Sequence, residues 1–256
     1  MLHSRDNPRV RRWSKLARDT RFRRREHRAL IEGPHLVAAM LERRIRPLCL
    51  IASESGLERA EIAALIGKSA LTPVVLSDAL FRAMVDAETP PGIAAEIEIP
   101  GHENPIAGSQ VFLQGIQDAG NVGAIVRSAA AFGIDAIVLD SACADAWSPK
   151  ALRAGMGGHF GLQVRQVDDL AEALSGFKGR LICTVPKEGI LLEKADLSGP
   201  LGWIFGSEGQ GISTEARAAA SVQVCVPTAA GTESLNVAAT AAICLYEAFS
   251  KPDAGS

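Results

Sequence analysis

The stretch "VFLQGIQDAGNVGAIVRSAAAFGIDAIVLD", residues 111–140, contains the pattern from which the fold class follows. A β-rich run at 111–116 is followed by a helical pattern over about 121–132 and by a second β-rich run at 136–140. This order predicts two parallel strands joined by a helix that packs on the sheet. The apolar face of that helix is formed by Val122, Ile125, Val126 and Ala129.

The same alternation continues towards the C-terminus. It predicts a mostly parallel sheet covered by helices on both faces, in which ligands bind beyond the carboxyl ends of the strands. The loops of interest therefore follow Ile116, Val185, Phe205 and Val226. The further predicted elements are strands at 162–167, 181–185, 203–206 and 222–227, a helical turn near 148–155, helices near 168–176 and 213–220, and a closing helix from Ser234.

A smaller α/β domain is predicted before this sheet. β-rich runs at 48–53 and 73–77 alternate with helical patterns at 33–44 and 57–68. A segment rich in Pro and Gly then separates the two parts, so we predict domains over 1–100 and 110–256 joined by a linker at 101–109. The leading helix places Val10, Trp13 and Ala17 on one face.

Composition and charge limit the class of protein. The chain is 47% hydrophobic with a formal net charge of −2, which is typical of a globular protein. It contains no run of 18 or more apolar residues, and its N-terminal segment lacks the apolar region of a secretory signal. We therefore expect a cytoplasmic protein that does not span a membrane. The five cysteines and five histidines are dispersed without metal-ligand spacing, which argues against a metal site.

The basic residues are concentrated at the front of the chain. Residues 1–100 carry 17 Lys and Arg against 13 Asp and Glu, whereas residues 101–256 carry 10 against 16. Eleven of the basic residues lie within the first 28 positions. This asymmetry is expected of a segment that faces nucleic acid, although charge alone is equally compatible with a solvated basic helix.

Two glycine-rich loops exclude common nucleotide sites. Gly115 and Gly120 have the spacing of a phosphate-binding loop, but Asn121 and Val122 stand where Lys and Ser or Thr are needed, which excludes a nucleoside-triphosphate site. The loop "GSEGQGIS" at 206–213 reverses the glycine order of the dinucleotide fingerprint, which argues against a nicotinamide cofactor.

Taken singly, the polar residues near these loops have structural interpretations. Arg127 flanks the apolar stripe of its helix, as a surface arginine would. Asn121, Ser234 and Asn236 stand where helix caps are expected, and Glu208 could be solvated. Each residue alone is therefore compatible with either a cap or a site.

Taken together, three segments resemble the three motifs of the SpoU (TrmH-like) RNA ribose 2'-O-methyltransferases of the SPOUT superfamily. They are "NVGAIVRSAAAFG" at 121–133, "IFGSEGQGIS" at 204–213 and "VPTAAGTESLNVAATAAICLYE" at 226–247. "SPKALRAGMGGHF" at 148–160 is similar to the family segment that follows its third strand. "LIEGPHLVAAML" and "TPPGIAA" resemble the RNA-binding domain that many members carry before the catalytic one.

The resemblance implies an α/β fold with a C-terminal trefoil knot and an S-adenosylmethionine cofactor, without a metal. It implies methyl transfer to a ribose 2'-hydroxyl, with Arg127 acting on that hydroxyl as a base or as a stabiliser of its developing negative charge. The implied catalytic residues are Asn121, Arg127, Glu208, Ser234 and Asn236. The implied cofactor-binding residues are Thr184, Gly206, Val226 and Leu235.

The resemblance also implies partners. The substrate is structured RNA, with ribosomal RNA favoured over transfer RNA, and the alternative is a non-catalytic RNA-binding protein on the same fold. A homodimer is expected through the closing helix. The residues expected to contact RNA are Arg23, Arg24, Arg25, His35 and Arg153. Those expected to support dimer packing are Ala238, Ala241, Ala242 and Leu245.

Overall fold

A computed structural model of the chain describes Leu2 and residues 4–101, 106–229 and 234–251. Residues 102–105 of the predicted linker and 230–233 of the third motif lie outside these described residues.

The described residues contain eleven strands and eleven α-helices. The strands are β1 (Arg28–Glu32), β2 (Cys49–Ser53), β3 (Val74–Leu76), β4 (Ile93–Glu98), β5 (Gln110–Gln114), β6 (Ala136–Leu139), β7 (Gln163–Gln166), β8 (Arg180–Thr184), β9 (Ile190–Leu191), β10 (Leu201–Gly206) and β11 (Val222–Cys225). The helices are α1 (Pro8–Arg18), α2 (Thr20–Glu26), α3 (Pro34–Glu42), α4 (Glu54–Leu57), α5 (Ala60–Ser69), α6 (Asp78–Met84), α7 (Ala119–Ala131), α8 (Pro149–Gly155), α9 (Leu170–Gly176), α10 (Thr214–Ala219) and α11 (Val237–Ser250).

The chain forms two compact units. The first comprises residues 1–101 together with 145–160, and the second comprises 102–144 together with 161–256. The segment 145–160, which contains α8, therefore packs with the N-terminal residues although it lies within the predicted catalytic domain. The predicted boundaries at 100 and 110 stay predictions, because packing units and functional domains need not coincide.

The first unit is built on a four-stranded mixed sheet in the order β1-β4-β2-β3. β4 pairs antiparallel with β1 and β2, while β2 and β3 are parallel. α1 covers this sheet with the predicted apolar face, since Val10, Trp13 and Ala17 are all buried. An Asn7 side chain caps α1 by accepting from the Arg9 amide, and Pro8 supplies a first helical residue that needs no N–H partner.

The second unit is built on a seven-stranded sheet in the order β7-β6-β5-β10-β8-β11-β9, whose pairs are all parallel. The prediction of a mostly parallel sheet is therefore confirmed. α7 follows β5 and buries its predicted stripe on this sheet, and α11 packs against α7. Because every strand runs the same way, the carboxyl ends of β5, β8, β10 and β11 meet at one edge.

Three local predictions need correction. β1 and β4 were not predicted, because β4 reads "IAAEIE" and its alanines and glutamates weaken the β signal. Glu96 of β4 is nevertheless buried, since its carboxylate accepts hydrogen bonds from Arg12, Arg28 and Trp13 at 2.8–2.9 Å. The closing helix begins at Val237, because the preceding residue is its cap.

The third correction concerns the closing helix as a dimer surface. Three of the four residues expected to pack against a second subunit are buried inside the chain; they are Ala238, Ala241 and Leu245. Among the described residues, no helix is long and apolar enough to cross a lipid bilayer.

Candidate active site

A cavity of about 600 Å³ lies at the carboxyl edge of the parallel sheet. Its walls are the ends of β8, β10 and β11, the loops that follow them, and the start of α11. All four predicted cofactor-binding residues line it: Thr184, Gly206, Val226 and Leu235. Two of the predicted catalytic residues, Glu208 and Ser234, line it as well.

The loop after β10 folds tightly over this cavity. Gly206 ends the strand, and a Cβ atom added there would collide with the backbone of Gly211. Gly211 itself has φ +68°, and its N–H donates to the Ser207 carbonyl at 2.8 Å. Gly206 is thus required by the close approach of two stretches of backbone, and Gly211 by its left-handed conformation.

Three predicted catalytic side chains form one hydrogen-bonded cluster. The Asn236 amide donates to Oε1 of Glu208 at 2.7 Å and to Oδ1 of Asn121 at 3.0 Å. The Asn121 amide lies 3.4 Å from the same Glu208 oxygen. The cluster joins the first turn of α7, the loop after β10 and the start of α11, so each of the three motifs contributes one member.

Asn236 has a structural role and a site role at once. Its Oδ1 atom caps α11 by accepting from the Ala238 and Ala239 amides at 2.9 and 3.2 Å, while its amide group faces Glu208. The N–H of Val237 also points to Glu208, at 3.3 Å. A carboxylate at this end of a fourteen-residue helix is favoured by the helix dipole.

Asn121 does not cap its helix, so the interpretation of this residue as a helix cap is wrong. The cap of α7 is Asp118, whose side chain accepts from the Gly120 amide. Asn121 lies in the first turn, and its side chain is therefore available to the cluster. Ser234 is exposed and lines the cavity two residues before the cap of α11, so it does not cap that helix either.

Arg127 lies apart from this cluster. It is exposed, as its position beside the buried stripe predicts, and it makes no hydrogen bond or ion pair to another described residue. It follows Asn121 by six residues, which corresponds to about 9 Å along a helix axis. Its catalytic role stays a prediction.

Lys187 and Arg217 also line the cavity and were not predicted. Arg217 already donates to the Gln223 side chain at 2.8 and 3.0 Å, whereas Lys187 is exposed. A lysine in a loop carries no sequence signal of its own, so only the fold could identify it. Among the described residues, no group of three or more His, Cys, Asp or Glu side chains is arranged to hold a metal ion.

The structure corrects one residue of the predicted RNA-binding set. Arg23 is 2% exposed, and its three side-chain nitrogens donate to Asp145 at 2.7 Å, to the Leu16 carbonyl at 2.7 Å and to Thr20 at 2.9 Å. All its nitrogens are occupied inside the first unit, so Arg23 is a structural residue and not a surface cation. Arg24 and Arg25 next to it are exposed.

The remaining two residues of that set lie on α3 and α8 of the first unit. His35 is exposed in the first turn of α3. Arg153 of α8 donates to the buried Glu32 at 3.2 Å and to Asp86 at 2.8 Å. Burial raises the pKa of Glu32, while Arg153 and the amides of Asp86 and Ala87 oppose this rise. Arg153 thus holds α8 within the unit through two carboxylates.

Comparisons with known proteins agree with this architecture. The model of the SpoU rRNA Methylase family matches residues 108–246, and that of the MRM3-like substrate binding domain matches residues 7–95. The chain is 33% identical over 255 residues to an uncharacterized tRNA/rRNA methyltransferase of Synechocystis, covering 96% of this chain and 92% of that one. It is 30% identical over 248 residues to the 23S rRNA (guanosine(2553)-2'-O)-methyltransferase RlmP of Bacillus subtilis, covering 96% and 97%.

The fold is shared with a solved structure. The SpoU methyltransferase AviRb of Streptomyces viridochromogenes, solved in complex with the cofactor AdoMet, matches with a TM-score of 0.83 and 24% identity over 95% of this chain and 98% of AviRb. The family match over the parallel-sheet unit, together with the whole-length similarity to a 23S rRNA 2'-O-methyltransferase, defines this chain as an RNA methyltransferase. The chain belongs to the SpoU rRNA Methylase family, as the match over residues 108–246 shows.

Proposed function

We propose that this chain transfers the methyl group of S-adenosylmethionine to a ribose 2'-hydroxyl of RNA, with ribosomal RNA as the favoured substrate. The observation that carries the proposal is that the second and third motifs line one cavity and that Asn121 of the first motif is hydrogen-bonded to both of them. Residues from the loops after β8, β10 and β11 line it, and the Asn121, Glu208 and Asn236 cluster lies where α7 and α11 begin.

The cavity fits the cofactor in size and in chemistry. Its volume of about 600 Å³ lies within the usual range of ligand pockets, about 300–1,000 Å³. S-adenosylmethionine carries a carboxylate, an ammonium and a sulfonium group, and the cavity offers both Lys187 and Glu208. Thr184, Gly206, Val226 and Leu235 would hold the cofactor, with the backbone of the glycine loop close to it.

When bound, the cofactor supplies an electrophilic methyl group on a positively charged sulfur. The chain's part is to align the ribose oxygen with that methyl group and to exclude other nucleophiles. Transfer of that methyl group would convert the hydroxyl into a methyl ether, leave the cofactor as a neutral thioether and pass the hydroxyl proton to water. Ser234, which lines the cavity, and the second N–H of the Asn121 amide offer hydrogen bonds that could orient the hydroxyl, while Asn236 holds Asn121 and Glu208 in place.

Arg127 is proposed as the stabiliser of the 2'-oxygen while it loses its proton. A guanidinium is a hydrogen-bond donor that keeps its positive charge in proteins, so electrostatic stabilisation is the role that its chemistry favours. Its support is its solvent-exposed, unengaged position among the described residues of α7.

Ribosomal RNA is favoured because the relative from Bacillus subtilis that matches nearly the whole chain is named for methylation of 23S rRNA. Phosphate contacts would come from Arg24, Arg25 and His35 of the first unit, which are exposed. We propose a cytoplasmic location, which fractionation of cells tests.

We also propose a homodimer through an aromatic surface on the second unit. Tyr246 and Phe249 of α11 are 57% and 63% exposed, and both rings contact Phe132 at centroid distances of 5.8 and 5.7 Å. Ile243 extends the surface and is 40% exposed. A contiguous exposed patch of this kind favours a protein partner.

A C-terminal knot completes the proposal. Its support is the strand order, since β11 lies beyond β8 at one side of the sheet while the next element, α11, contacts β10 and packs on α7.

The proposal is tested with purified protein, tritiated S-adenosylmethionine and ribosomal RNA from cells that lack it. We expect label in the RNA at a position that resists alkaline cleavage, and calorimetric binding of the cofactor. Cofactor binding without transfer to any RNA would contradict the proposed reaction. RNA binding without cofactor binding would support the non-catalytic alternative.

A further inference from the structure

A second cavity, of about 790 Å³, lies on the first unit, and none of its lining residues is among the predicted catalytic, cofactor-binding or RNA-contacting residues. It is formed by one face of α1, the later residues of α6 and Phe22 of α2, and we name it the α1–α6 groove. We propose that it binds an unpaired nucleotide of the RNA, with the base on its floor and the phosphates at its rim. This inference rests on the proposed function, because it takes RNA as the substrate.

The floor of the groove is apolar. Its accessible apolar surface comes from the half-buried Phe22 and Ala83. Val10, Leu80 and Met84 line the groove from the buried core beneath. Apolar and aromatic surface of this kind suits the face of an unstacked base, whereas the backbone of a duplex would gain nothing from it.

The rim of the groove is cationic. The lining residues include Arg5, Arg11, Arg12 and Lys15, and no carboxylate is among the described residues that line it. Arg5 and Lys15 form no ion pair with any other described residue. Arg11 pairs with Asp6 at 2.9 Å, but both side chains are largely exposed, so this pair contributes little and a phosphate can replace it.

Phe22 concentrates further positive charge at one end of the groove. The cationic groups of Arg12, Lys15 and Arg25 lie 5.8, 5.5 and 5.1 Å from the centre of its ring. Arg12 is fixed there by Glu26 and Glu96, each at 2.9 Å, and Arg25 pairs with Glu26 at 3.2 Å. Lys15 is therefore the cation of this group whose charge is left for a bound phosphate, and the ring of Phe22 holds it beside the groove.

The combination of floor and rim distinguishes single-stranded RNA from other polyanions. A duplex or an acidic peptide would use the cations but would leave the floor empty. An unpaired nucleotide uses both, since its base and its phosphate lie on opposite sides of the ribose. The match of residues 7–95 to a substrate-binding domain is consistent with a substrate contact here.

The experiment measures binding of short fluorescent single-stranded RNA, and of a duplex of equal length, across a salt series. The double variant Arg5→Glu with Lys15→Glu should weaken single-strand binding at least about tenfold and reduce the salt slope by about 1.4, because each phosphate contact on a single strand contributes about 0.7. Lys68→Glu is the control for reversal of one charge, to be compared with Lys15→Glu alone, since Lys68 is an exposed lysine on α5 outside the groove.

A second variant tests the floor without changing charge. Ala83→Leu should weaken single-strand binding severalfold, leave the salt slope unchanged and leave duplex binding unchanged. Circular dichroism and calorimetric cofactor binding on the same preparations check that both units remain folded.

The inference is overturned if Lys68→Glu acts as strongly as Lys15→Glu, if Ala83→Leu has no effect, or if duplex binding falls equally. If polyglutamate of the same total charge as the RNA displaced it from the groove, the groove would be assigned to an acidic protein, and the inference would also be overturned. A failure of the proposed function would give a different result: no methyl transfer would be detected, while single-stranded RNA would still bind to the groove.

Discussion

The side-chain amide of Asn236 lies 2.7 Å from Oε1 of Glu208, although 28 residues separate them in the chain. The same Asn236 side chain caps α11 through its other atom, Oδ1. One asparagine therefore fixes both the start of a helix and the direction of a carboxylate. A substitution at Asn236 therefore affects both the stability of the protein and the geometry of the site, unless the new side chain keeps either the cap or the contact with Glu208.

Two variants of Asn236 separate these roles. Asn236→Ser keeps a good cap but loses the amide that holds Glu208, so stability should change by only a few tenths of a kcal/mol while methyl transfer falls. Asn236→Ala loses both and should also destabilise the protein by about 1 kcal/mol. Urea unfolding and single-turnover transfer measure the two effects, and equal activity of Asn236→Ser and the parent would show that the contact with Glu208 is dispensable.

Arg127→Ala should separate folding from chemistry. The side chain is exposed and unengaged among the described residues, so its loss should change stability by no more than about 0.5 kcal/mol. If it stabilises the 2'-oxygen during transfer, the rate should fall by roughly 100-fold with little change in cofactor affinity. Partial recovery in Arg127→Lys would indicate that charge suffices, and near-normal transfer by Arg127→Ala would remove the residue from the mechanism.

Arg23→Ala should destabilise the first unit by about 3 kcal/mol. It leaves Asp145, whose side chain is 7% exposed, as a buried carboxylate without its partner. The neighbouring Arg24→Ala is the control, since Arg24 is exposed and its loss should affect stability by less than about 0.5 kcal/mol. Arg24→Ala should instead weaken RNA binding in a salt-dependent way. Equal unfolding free energies for the two variants would contradict the buried pair.

His159 should make the protein sensitive to mild acid. Its ring is buried, burial lowers its pKa to about 4, and its Nε2 atom lies 2.8 Å from the Ala146 carbonyl, so the neutral ring donates there. Below pH 6.5 the unfolded chain takes up a proton that the folded chain does not, so the free energy of unfolding falls as the pH falls towards 4. The contribution lost at pH 5 is about 2 kcal/mol.

The measurement compares unfolding free energies at pH 7 and pH 5. His159→Phe should be less stable at pH 7, because the Ala146 carbonyl loses its donor, but should show a smaller decrease between the two pH values. His35→Gln, at an exposed position, should keep the parental decrease. An unchanged pH dependence in His159→Phe would show that other groups cause it.

Tyr246→Glu with Phe249→Glu should convert the proposed dimer into a monomer. The two exposed aromatic side chains form the centre of the apolar surface, and a buried charge there is costly. Leu48→Glu is the control, because Leu48 is 47% exposed but belongs to the first unit. Sedimentation at micromolar concentration measures the mass, and a monomeric parent would contradict the proposed dimer.

The sequence predicted the second unit better than the first. The stripe of α7 and the strands of the parallel sheet follow from apolar periodicity, which is local. β4 contains Glu96, whose burial depends on Arg12 and Trp13 more than 80 residues earlier, so no local pattern could identify it. Long-range pairing of this kind is visible only in the fold.

The candidate site shows the same limit. Asn121, Glu208 and Asn236 can each be explained singly as a helix cap or a solvated side chain. From the sequence, only the resemblance of whole motifs to a known family predicted that they share one site. The burial of Arg23 was not predictable, because its partner Asp145 lies 122 residues later and a run of arginines suggests an exposed surface. Lys187 had no local signal either, since nothing in its loop indicates a cavity.

The packing of residues 145–160 with the N-terminal unit has a consequence for how this architecture can evolve. The family match that begins at residue 108 includes this segment, yet Trp147, Leu152 and His159 are buried in the first unit. The substrate-binding half therefore cannot be exchanged between relatives as an independent module. Asp145 with Arg23, and Arg153 with Glu32, should be inherited together, and a chimera that keeps only one member of each pair should fold poorly.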